Sequence, residues 1–269
     1  HFSKALKTGE NPYFVNKWCI IALRRSNVDG AGEEAVKIVN EWRKQKKIPL
    51  EPSQQKSILG IVLEQFSRYD YKSPEKTFLP RLITLLPARE IKETYLWLIE
   101  QSGRQENERL ILYRLGLISE VDGDFQTAFN HYIEIIERLK TSNRGHYPLL
   151  GKKALCRLLT KGLKKEVIFS NVQIMDIPKN IIALGDTIEM GMTFARNNSL
   201  SIGSINEGSA KKGGLMIGDN FLMIDNVLFE SRYKFNKILK DIVSENRSYA
   251  DLFLLRDGKI ISYRFVKEK

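Results

Sequence analysis

The sequence predicts an α+β chain of more than one domain, helical in its first part and built of short strands in its second. Three observations predict this. Apolar residues recur at three and four from the start to about residue 165, from residue 167 the period shortens to β-rich runs, and Asp257-Gly258 separates two such runs as a hairpin turn would. The 269 residues are enough for two ordinary domains. The expected division is 1–166 helical, 167–179 a linker or first strand, and 180–269 the strand-rich domain.

The helical part opens on Trp18, Ile21, Ala22 and Leu23, followed by Ala35, Ile38, Val39 and Trp42. Further helices are predicted near 52–69, 74–86, 88–102, 106–121, 124–141 and 146–162. Breakers separate them at Pro49, Pro52, Pro74, Pro87, Gly103, Asp122-Gly123-Asp124 and Gly145. In the second part the predicted strands are 167–169, 172–177, 181–184, 200–205, 221–224, 250–255 and 260–266, rich in β-branched and aromatic residues. One helix interrupts them, with Phe235, Ile238, Leu239 and Ile242 on one face.

Hydrophobic residues make up 42% and charged residues 28%, the balance of a globular chain and not of a disordered one. Cys19 and Cys156 stand in no metal-ligand or redox spacing. The net charge of +11 is uneven: residues 166–269 hold 14 Lys/Arg against 13 Asp/Glu, so the excess belongs to the helical part. That excess suits an acidic partner or an anionic surface, although scattered lysines are as readily a solvated face. Phe2-Ser-Lys-Ala5-Leu6 reads as the end of a helix that begins upstream, which implies a longer natural protein.

Leu112, Leu115 and Gly116 are repeated as Tyr147, Leu150 and Gly151, 35 residues on. With Phe125, Ala128 and Tyr132, the segment resembles a tetratricopeptide repeat. Small residues at 116 and 128 let two helices cross closely, and larger ones fill the space around the crossing. A looser match runs through Trp18, Ile21, Ala22, Ala35 and Val39, with a turn at Gly30-Ala31-Gly32. Trp18, Trp42 and Trp97 read as core.

In the second part, Leu200–Ile205, Gly208-Ser209-Ala210, Gly214-Leu215, Gly218-Asp219 and Phe221–Ile224 follow one another in an order and spacing that resembles a bacterial-type PDZ domain over about 180–267. The family's usual Pro is missing between Ser209 and Ala210. The resemblance implies a β-barrel or sandwich with two helices that binds an extended peptide as an added strand. Backbone N–H groups of Met190-Gly191-Met192 would receive the peptide's terminal carboxylate. Thr193 and Phe194 would lie on the receiving strand, with Phe235 or Leu239 on the far wall. Glu189 stands beside that loop and would repel a carboxylate unless turned away or paired. An internal-strand ligand, or a groove that is closed, stays open. Asp219 is expected to accept from backbone N–H groups in the turn before its strand.

No catalytic set is expected. Ser53…Lys56, Ser73…Lys76 and Ser209…Lys212 have nucleophile spacing, but no third partner and no α/β domain to hold them. His1, His131 and His146 lack metal or triad partners, no nucleotide loop is present, and no nucleic-acid-reading motif accompanies the basic charge. No cofactor and no metal are expected. The expected function is a non-catalytic interaction scaffold with protein or peptide partners. The alternative is a regulatory or substrate-delivering part of a proteolytic system whose catalytic domain lies elsewhere. The PDZ resemblance implies a bacterial cell-envelope or periplasmic location, membrane-associated or not, and a cytoplasmic one stays open.

Overall fold

A computed structural model describes residues 21–22, 31–44, 56, 59–60, 62–63, 78–102, 105–137, 147–164, 180–185, 190–195, 201–229 and 231–268. The chain is α+β, with helices first and a mixed sheet after them. It divides into two compact units, His1–His131 and Tyr132–Lys269.

In the first unit α1 spans Ala31–Lys44, α2 Phe78–Leu85, α3 Ala88–Ser102 and α4 Gln105–Val121. α1 begins at Ala31, so Ala31 and Gly32 are helical where a turn was expected; Glu33 and Glu34 in its first turn favour the start electrostatically. α4 is buried all along Ile111–Glu120, as its near-continuous apolar sequence dictates, and it packs on α2 and α3. Asp122-Gly123-Asp124 makes the expected turn, with Gly123 at φ +82° and the Asp124 amide donating to Ser119 at 2.8 Å. The Asp124 carboxylate then accepts from the Thr127 amide, capping α5, Phe125–Glu137. Lys92 reaches both Asp122 and Asp124, at 3.1 and 3.8 Å. Trp97 is half-buried; Trp18 and the Trp42 side chain lie outside what is described.

The second unit takes in the end of α5 and all of α6, Tyr147–Leu163. Gly151 on α6 brings the two helices together, because a Cβ there would meet Ile135 at 3.0 Å. The strands are β1 Asn180–Leu184, β2 Met192–Phe194, β3 Ile202–Ile205, β4 Asn220–Ile224, β5 Val227–Leu228, β6 Tyr249–Arg256 and β7 Lys259–Lys267. Two helices lie among them, the single-turn α7 at Ser209–Lys212 and α8 at Arg232–Val243. The predicted strands 167–169 and 172–177 lie outside the described residues.

The expected barrel or sandwich does not form among the described residues. The sheet is open, in the order β1-β7-β6-β4-β5, with β2 and β3 a separate ribbon. Two features keep it open. β5 is only two residues long, and among the described residues the ribbon meets the start of β4 and the turn before it through the Ser201–Asn220 bridge and the backbone bonds of Ile202 with Asp219 and Gly218. β1 pairs parallel to β7, and β6 and β7 form the hairpin expected at Asp257-Gly258, both residues at positive φ. The core is Phe221, Phe229, Phe235, Phe265, Leu252 and Leu254, closed by Leu239 and Ile242 of α8. Phe253 and Leu255 alternate with these and are buried too, so both faces of β6 are covered. α6 packs on β4 and β5.

Candidate functional site

The candidate site is the loop Met190-Gly191 and the strand that leaves it. Gly191 has φ +68°, and a Cβ there would stand 2.3 Å from the Glu207 carbonyl oxygen. Both reasons demand glycine. The loop is fixed through its carbonyls. Met190 O accepts from Ala210 N–H at 3.1 Å and Gly191 O from Asn206 N–H at 2.6 Å. Among the described residues the Met190 and Gly191 amides have no backbone acceptor.

β2 pairs on one edge with β3. The Gly191 carbonyl and the Ala195 amide point to that partner, at Asn206 and Ser201. By alternation Met192 and Phe194 turn their backbone groups to the other edge. Thr193 is exposed on the outer face, where its hydroxyl meets Ser204 at 2.7 Å. Met192 and Phe194 are half-buried against the core. Phe194 touches Phe221, Phe229 and Phe235, with ring centroids 5.3, 5.9 and 6.1 Å apart.

Phe235 and Leu239 stand opposite β2 in the core, and each is 1% exposed. They form the floor beneath Phe194 and not an open wall. The sequence missed Arg232, on the first turn of α8. Its guanidinium donates to Ala195 O at 2.9 Å and lies 5.1 Å above the Phe194 ring. It closes the end of β2 away from the loop. Nothing in its spacing marked it, because the contact depends on how α8 enters. Glu189 lies outside the described residues. Glu207, whose backbone carbonyl adjoins Gly191, pairs its exposed carboxylate with Lys211. Hydrogen bonding to Lys211 holds its carboxyl below the usual range.

The turn before β4 holds the ribbon to the sheet. The Asp219 side chain is fully buried, accepts from the Met216 amide at 2.8 Å as expected, and receives Arg256 twice, each at 2.6 Å. Arg256 also donates to Gly214 O, and the hydrogen bonds to Asp219 raise its already high pKa. Under β4, Lys152 and Cys156 of α6 donate to the carbonyls of Phe221 and Leu222, at 3.5 and 3.3 Å. Burial pushes the Lys152 ammonium down to about 8, partly offset by Cys156, and pushes the Cys156 thiol up to about 12.

Of the nucleophile-spaced pairs, Ser209 and Lys212 share the single turn of α7; Ser53, Ser73 and Lys76 lie outside the described residues. Among the described residues no three His, Cys, Asp or Glu side chains cluster as metal ligands, and no helix is long and apolar enough to cross a membrane.

Compared with family models, with curated proteins and with solved structures, the chain matches none.

Proposed function

We propose that the chain is a non-catalytic interaction scaffold. Its C-terminal unit works as a PDZ-like domain that takes an extended peptide along β2, with the peptide's terminal carboxylate at the amides of Met190, Gly191 and Met192. Its helical part works as a tetratricopeptide-like array that holds a protein partner. The observation that carries this reading is the fixing of the Met190-Gly191 loop by its carbonyls, beside a strand whose second edge has no strand partner among the described residues. A loop held that way leaves amides to offer, and a strand with a free edge offers a ladder.

In this conformation Phe194 fills the space that a peptide side chain would take. A ligand therefore has to move Phe194 off Phe235, which lowers affinity and favours a small terminal side chain. Each apolar side chain buried contributes about 1.5–3 kcal/mol before ordering costs, so micromolar binding is the expected range. The test is fluorescence anisotropy of the full chain with a library of peptides that end in a free or an amidated C-terminus. Free termini should bind at least tenfold tighter. Equal binding of the two would sink carboxylate capture, and no binding of either would sink the groove.

A further inference from the structure

We propose that Arg114 anchors an oxyanion site inside the helical unit, one that takes a carboxylate or phosphate group. Arg114 lies at the middle of α4 and is 3% exposed. Its Nε is buried without a hydrogen-bond partner. Its guanidinium carbon lies over the ring of Tyr95 on α3, 5.9 Å from the ring centroid. Tyr95 is itself fully buried.

An arginine stays charged at every working pH. A buried charge calls for a counter-charge, and a buried N–H calls for an acceptor. The face of an aromatic ring supplies no full counter-charge and no oxygen acceptor to the guanidinium. The guanidinium N–H groups form a fork that matches the two oxygens of a carboxylate or of a phosphate edge. On α3 and in the turn after α4, Glu93 bonds Arg89 at 2.8 Å, and Asp122 and Asp124 hold Lys92. Glu120, the other buried charge of α4, is six residues on, which places it about 120° around the helix from Arg114. The positive charge of the helical part raises the local concentration of anions. The oxyanion is either free or carried on an acidic segment of a partner protein.

The test uses the full chain, Arg114→Met and Arg114→Lys. Melting temperature is followed against inorganic phosphate, acetate and a hexaglutamate peptide, with ionic strength held constant by sodium chloride. The wild type should rise by about 3–6 °C at tenfold excess over the dissociation constant of a ligand that fits. Arg114→Met should be flat, and Arg114→Lys, which keeps the charge but loses the fork, should rise less than the wild type. A response to phosphate alone assigns a free oxyanion, and a response to the peptide at lower concentration assigns a partner's acidic segment; either supports the site. A parallel rise in Arg114→Met, or no response of the wild type to any of the three, overturns it. Should Arg114→Met not fold, calorimetry of the wild type and Arg114→Lys decides. One site per chain, weakened in the lysine variant, supports the proposal; no site, or binding equal in both, overturns it.

Discussion

Gly191 concentrates two constraints in one residue, a left-handed backbone and a carbonyl where a Cβ would stand. Gly191→Ala is therefore predicted to cost roughly 1–3 kcal/mol or more, read as a lower urea midpoint, and to abolish peptide binding. Lys152 and Cys156 give a pH signature with a definite sign. Between about 8 and 10.5 the unfolded chain holds a proton on Lys152 that the native chain lacks, so stability rises with pH there. Between 9 and about 12 the native chain keeps a proton on Cys156 that the unfolded chain loses, so stability falls there. The two cancel from 9 to 10.5. The pair thus adds about 1.4 kcal/mol from pH 8 to 9, stays level to 10.5, and declines beyond. Lys152→Met should remove the rise and stabilise the protein near pH 7 by about 1–3 kcal/mol. Urea melts of both proteins from pH 7.5 to 10 check this; parallel curves would show that Lys152 is not the source.

At the scale of elements, α3, α4, α5, α6 and α8 were legible because each carries an apolar period, and the first four also follow a breaker: Pro87, Gly103, Asp122-Gly123-Asp124 and Gly145. β6 and β7 were legible from Asp257-Gly258, and Asp219 from its place before a strand. What was not legible depends on contacts between distant segments. Arg256 meets Asp219 across 37 residues, and Arg232 meets Ala195 across the same separation. Phe235 and Leu239 were correctly placed on the inward face of α8. How deeply they sit is decided by Phe194 and Phe229 and could not be read from period. The open sheet was missed because β5 is too short to continue the wall. Two predictions belong here. Arg256→Leu leaves the Asp219 carboxylate buried and unpaired, and should cost about 3–5 kcal/mol, read by thermal melting; a loss under 1 kcal/mol would show the turn is held otherwise. Phe194→Ala should cost about 3 kcal/mol yet tighten binding of peptides with a large terminal side chain, because it empties the slot between β2 and α8. Unchanged selectivity by anisotropy would place the slot elsewhere.

At the scale of the whole molecule, two boundaries mark different things. The change of period near residue 167 is where helix gives way to strand. The division by contact falls between His131 and Tyr132, because α6 packs on β4 and β5 and places Lys152 and Cys156 under them. A fragment of residues 132–269 is therefore predicted to unfold cooperatively and at a higher midpoint than one of residues 168–269, which leaves the sheet surface under α6 bare; equal midpoints by circular dichroism would contradict this. The central claim is that β2 receives a peptide strand. Amide hydrogen exchange on the full chain, with and without a bound free-terminus peptide, tests it most directly. Binding along β2 should slow exchange at Gly191, Met192 and Phe194, less so with the amidated peptide at equal occupancy, and leave the β1 and β5 edges unchanged. Protection confined to β1, β5 or the helical unit, with those three amides unaffected, would contradict the account.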